Sequence, residues 1–131
     1  MKKRLRVLLV ALACCIGLAG IGRFALDKLV TGMCGNEVFQ EALAPSGNLK
    51  AVIFQRDCGS TTGFSTQISL VSTSDELPNE SGNVFIVEGH PKDRNIEITW
   101  LNPTELLILH TAGLQAHKQE TLLNGVTITY E

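Results

Sequence analysis

The chain predicts an all-β domain, a small antiparallel meander (sandwich, small barrel or curled sheet) preceded by one N-terminal hydrophobic helix. Three observations predict it. An uncharged apolar run follows a cationic N-terminus, seven or eight short segments past residue 34 carry strand patterning, and turn residues separate those segments with no convincing amphipathic helix among them.

The N-terminal run comes first. Met1-Lys2-Lys3-Arg4-Leu5-Arg6 carries four cations, and Val7 to Gly22 (VLLVALACCIGLAGIG) then continues for sixteen residues without a charge. That order belongs to a secretory signal or a signal anchor. Sixteen helical residues span about 24 Å, and continuation to Leu26 reaches about 30 Å, the thickness of a hydrocarbon core, with Arg23 snorkelling toward the headgroups. Four cations before the run, against Arg23 and Lys28 after it, favour a cytoplasmic N-terminus and place the rest of the chain outside. Gly20-Ile21-Gly22 offers a cleavage alternative that would release a secreted domain. Leu12-Ala13-Cys14 lacks the leucine and the length of a lipoprotein signal, so Cys14 and Cys15 read as small apolar residues of a membrane helix. The organisation is therefore 1–33 as anchor and linker, and 34–131 as the exported domain.

Charge separates along the same line. Six of eleven cations precede residue 34, leaving five against twelve acids and a net charge of −7 on the outer part. That sign excludes nucleic acid and anionic lipid surfaces as partners of the domain itself. Cys34 and Cys58 are the two cysteines past the apolar run, and an oxidising compartment pairs them.

The strand candidates follow in order. Glu37 to Leu43 leads through Pro45-Ser46-Gly47-Asn48 into Leu49 to Gln55 (LKAVIFQ), whose four consecutive apolar residues fit a central strand buried on both faces. Phe64 to Ser72 alternates weakly and reads as a strand with one wet face. Thr73 to Asn83, polar and interrupted by Pro78 and Gly82, reads as an exposed loop without the positional pattern of a calcium loop. Val84 to Glu88 is a further strand. Asn95 to Trp100 alternates with Ile96, Ile98 and Trp100 on one side, and pairs through Asn102-Pro103-Thr104-Glu105 with Leu106 to His110. Gly113 to Glu120 is the one candidate for a helical turn. Thr121-Leu122-Leu123 and Val126 to Tyr130 flank Asn124-Gly125, a strong hairpin signal.

Candidate chemistry is sparse. A hydrolase would make Cys58 a nucleophile with His90, His110 or His117 as base, yet Arg56 and Asp57 oppose each other on the thiol and no histidine sits in a motif. No CxxC, HxH or HExxH occurs, so no catalytic residue, metal or cofactor is expected. The stretch Asp57 to Gln67 (DCGSTTGFSTQ) is the most distinctive. Ser60, Thr61, Thr62, Gly63, Ser65 and Thr66 form a candidate ligand loop, competing with a turn whose hydroxyls satisfy backbone groups beside the Cys58 bridge.

Residues 45–54 and 56–67 resemble small uncharacterised bacterial envelope proteins in which a short apolar segment precedes a similar "SPDGK…CGxTTGFSTQ" core. Ser46 stands where that turn usually has Asp. The resemblance implies a bacterial, exported protein and no mechanism. The resulting expectation is a non-enzymatic module at the outer face of the cytoplasmic membrane, periplasmic or extracellular, that binds another envelope protein. The alternatives are a thiol-dependent hydrolase centred on Cys58 and, after cleavage, a secreted inhibitor.

Overall fold

The computed structural model describes residues 1–59 and 63–131, apart from the side chains of residues 27, 28 and 30–32. It divides into two compact units, Met1–Met33 and Cys34–Glu131.

The first unit is helix α1, Lys2–Gly32. Its stretch Lys2–Leu26 contains an 18-residue window of mean hydropathy 2.3, none of it buried inside the protein. Twenty-five residues at helical rise span about 37 Å, long and apolar enough to cross a membrane. Exposed apolar side chains, such as Leu8, Leu12, Ile16 and Leu18, are what lipid solvates.

Among its described residues the second unit is built of nine strands in two sheets. The strands are β1 (Gly35–Leu43), β2 (Leu49–Asp57), β3 (Ser65–Ser72), β4 (Phe85–Glu88), β5 (Glu97–Asn102), β6 (Glu105–Leu109), β7 (Ala116–Gln119), β8 (Leu122–Leu123) and β9 (Val126–Tyr130). A single helical turn, α2 (Pro91–Arg94), separates β4 from β5. One sheet has the order β1-β2-β3-β4-β7 and the other β5-β6-β9-β8. Their inner faces share one core: Ile53 and Ile68 from the first, Ile98, Leu106, Ile108 and Ile128 from the second, with Phe85 among them. The all-β class and its leading helix follow the sequence expectation.

The first three strands form an antiparallel meander, with β1 joined to β2 by the turn the sequence marks at Pro45-Ser46-Gly47-Asn48. Strand β2 alternates Ala51 and Ile53 into the main core with Val52 and Phe54 into a second cluster that includes Val71 and Leu77. At the other end, Asn124 (φ 50°) and Gly125 (φ 77°) close the β8–β9 hairpin in the left-handed region that a two-residue primed turn requires.

Three expectations are corrected. Strand β3 has no wet face: Gln67 and Ser69 are as buried as Ile68 and Leu70. The loop 73–83 lies over them, with Gln67 Oε1 accepting from Gly82 N at 2.6 Å and Ser69 Oγ from Asn83 N at 3.2 Å. The Asn83 amide brackets Leu70, accepting from its N–H and donating to its carbonyl. Polar side chains here serve as partners for a covering loop, so their polarity does not report solvent.

The segment 113–120 is also not a helical turn. It contains β7, which pairs with β4 as the edge of the first sheet. Thirdly, β6 and β9 pair in parallel. The sixteen residues between Leu109 and Val126 cross to the first sheet as β7 and return as β8, which supplies the crossover length a parallel pair needs.

Candidate functional site

The bridge between Cys34 and Cys58 is formed, at a sequence separation of 24. It continues the ladder one step beyond Gly35 and Asp57, the last register pair of β1 and β2. Beside it Arg56, only 6 % exposed, donates from Nη1 to Asn36 Oδ1 (2.7 Å) and Asn79 Oδ1 (3.2 Å). Asn79 donates in turn to the Cys34 carbonyl, and Asn36 to the carbonyls of Pro78 and Glu80. A buried guanidinium is thus satisfied by amide oxygens and pins the 73–83 loop to the bridged strands. Its surroundings are structural.

The candidate ligand loop divides. Ser60, Thr61 and Thr62 lie outside the described residues. Thr66 is fully buried and donates to the Gly89 carbonyl at 2.7 Å, so it is unavailable to a ligand. Ser65 is half-buried, accepting from Gln67 Nε2 at 2.8 Å and donating to the Arg56 carbonyl at 3.4 Å. These two hydroxyls satisfy the domain's own groups. Gly63 lies near Glu88, since a Cβ built on it would be 4.0 Å from Glu88 Oε2.

Glu88 belongs to a cleft of about 350 Å³ lined by Val87, Glu88, Arg94, Gly113, Leu114, Gln115 and His117. That size is within the range of small-ligand sites. Each charged member is positioned by an irregularity. Strand β4 ends at Glu88, and Gly89 turns the chain at φ 104°, its N–H bonded to the Phe64 carbonyl and its carbonyl to Thr66. His90 caps α2, its Nδ1 accepting from Lys92 N, and Pro91 occupies the first helical position. One turn later Arg94 folds back onto Gly89. A Cβ on Gly89 would approach Arg94 Nε to 2.3 Å, so the guanidinium lies flat on a surface that only glycine provides.

His117 arrives from the other side. In the β4–β7 ladder Val87 faces Ala116 and Ile86 faces Lys118, which leaves His117 as the extra residue of a β-bulge. Bulges re-aim side chains, and this one brings His117 Nε2 to 3.1 Å from Glu88 Oε1. With Glu88 engaged by His117, the Arg94 side chain has neither hydrogen bond nor ion pair among the described residues. Its Nε is the one buried side-chain polar atom without a partner among the described residues.

The remaining titratable groups are dispersed. His110 stacks on Phe85 at 5.9 Å, and Tyr130 lies 5.7 Å from the same ring. Burial, and secondarily the negative charge of Glu120, pushes the Tyr130 phenol up to about 12. Its hydroxyl donates to the Glu120 carbonyl at 2.6 Å. Each of the three histidines has its own surroundings, and the described residues hold no cluster of three or more His, Cys, Asp or Glu able to take a metal.

Glu88, Arg94 and Leu114 were not marked by the sequence, and His117 was marked only as one of three candidate bases for Cys58. The signal that could have found them is faint: a glycine closing a strand, followed by proline and an arginine one turn later. No family model, no curated protein and no solved structure matches this chain.

Proposed function

We propose that the chain is a non-enzymatic binding module of the bacterial envelope, held at the outer face of the cytoplasmic membrane by α1, with its β-domain outside. One observation carries this reading. A helix of membrane length is followed within two residues by a cysteine bridged to Cys58. Such bridges persist where the compartment is oxidising. The likeness of residues 45–54 and 56–67 to bacterial envelope proteins supports the setting, and the cationic N-terminus supports the orientation.

Binding is favoured over catalysis because the thiol that a hydrolase would require is tied up in the bridge. The free cysteines among the described residues are Cys14 and Cys15, both within α1. The partner proposed is another envelope component, reached by a domain whose acidity disfavours phosphate-rich surfaces.

The test is topological and functional together. With an epitope tag at the C-terminus, protease added to spheroplasts is expected to remove the tag while a cytosolic marker survives, and a photo-crosslinker at Leu114 is expected to capture a partner in living cells. A protected tag would contradict the orientation. Absence of any adduct from Leu114 or from positions elsewhere on the domain would contradict the module.

A further inference from the structure

The ligand chemistry of the Glu88–Arg94–His117 cleft follows from its charges, given the reading of the domain as a binding module. We propose that the cleft takes a ligand bearing a single carboxylate next to an apolar substituent, the carboxylate paired with Arg94 and the substituent resting on Val87 and Leu114. Arg94 is the focus because it is placed and unanswered. Its guanidinium is held against Gly89, lines a cleft, and has a buried Nε with no acceptor among the described residues. An unpaired buried donor carries a desolvation cost that an incoming acceptor relieves, and a guanidinium matches a carboxylate with two parallel hydrogen bonds.

The neighbouring charges narrow the class. The Glu88 carboxylate stands in the same cleft and the domain carries −7. A dianion such as phosphate therefore meets repulsion that a monoanion only half shares. Val87 and Leu114 supply the apolar wall, while Gly113 and Gln115 contribute the remaining rim. The chemistry is shared by the C-terminal residue of a peptide and by a free amino acid. These sources differ in whether an ammonium is present to meet Glu88.

The experiment uses the full chain in detergent micelles and follows amide resonances by heteronuclear NMR. The probes are N-acetyl-leucine, leucine, N-acetyl-leucinamide and inorganic phosphate. Saturable shifts confined to Gly89 and residues 113–117 are expected with one or both carboxylates, and none with the amide or phosphate. Tighter binding of N-acetyl-leucine identifies a chain end, and tighter binding of leucine a free amino acid.

Arg94→Gln should weaken the affinity about ten- to a hundred-fold, as expected for losing charged hydrogen bonds. Arg94→Lys should retain part of it. Unchanged Trp100 fluorescence certifies that both variants are folded. The inference is overturned by equal binding of the amide, by preferred binding of phosphate, by undiminished binding in Arg94→Gln, or by no binding of any probe. If no carboxylate binds while in-cell crosslinks from other faces of the domain persist in Arg94→Gln, this inference fails and the binding-module reading stands.

Discussion

Arg56 and Arg94 show how one residue type serves opposite ends. Arg56 donates to amide oxygens of Asn36 and Asn79 and ties a loop to the bridged strands, whereas Arg94 lines a cleft and its Nε has no acceptor among the described residues. Arg56→Ala is therefore expected to remove the charged hydrogen bonds to half-buried Asn36 and exposed Asn79, together with the packing of a buried side chain, and to destabilise the domain by about 1–3 kcal/mol, measured by urea denaturation. The reporter is Trp100, the sole tryptophan, whose Nε1 donates to the Ala42 carbonyl between the two sheets. Tyr130 supplies a pH prediction. Its phenol is raised to about 12 from an ordinary 10, so the folded state holds the proton more tightly than the unfolded one. The stabilisation is complete below pH 10 and is lost as pH rises through 12. The midpoint in urea should fall over that interval and should fall less in Tyr130→Phe.

At the scale of elements, the bridge closes β1 against the end of β2 and constrains the unfolded chain. Its loop, a separation of 24 residues, implies about 3.5 kcal/mol in the chain-entropy treatment. Reduction should lower the urea midpoint of Trp100 fluorescence accordingly, and a Cys34→Ser, Cys58→Ser chain should behave like the reduced one.

The elements most legible in the sequence are those whose pattern is local. Asn124-Gly125 specifies its hairpin through backbone conformation alone, and the run Ala51 to Phe54 announces a strand covered on both sides. Strand β3 was opaque because Gln67 and Ser69 are buried by a loop whose docking depends on partners thirteen to fifteen residues away. Strand β7 was opaque because AHKQ acquires strand character from pairing with β4, about thirty residues earlier. The cleft inherits that opacity. The bulge that aims His117 at Glu88 is a property of the β4–β7 register, and the flat seat of Arg94 depends on the conformation of Gly89; neither is a spacing motif. In the hydroxyl-rich stretch, the described hydroxyls of Ser65 and Thr66 serve the fold, and its glycine at 63 lies near Glu88.

On the scale of the whole molecule, two units follow one another: a helix with exposed apolar side chains, long and apolar enough to cross a membrane, and a sandwich with a continuous core, a bridge and a net acidic charge. The account rests on these two being on and beyond a membrane, in a compartment that oxidises thiols. The direct measurement is thiol trapping in living cells: alkylation under denaturing, non-reducing conditions, followed by intact mass with and without prior reduction. The account predicts two alkylated cysteines, Cys14 and Cys15, without reductant and four with it. Four alkylated cysteines before reduction would show Cys34 and Cys58 free in the cell, and would contradict the account at its base.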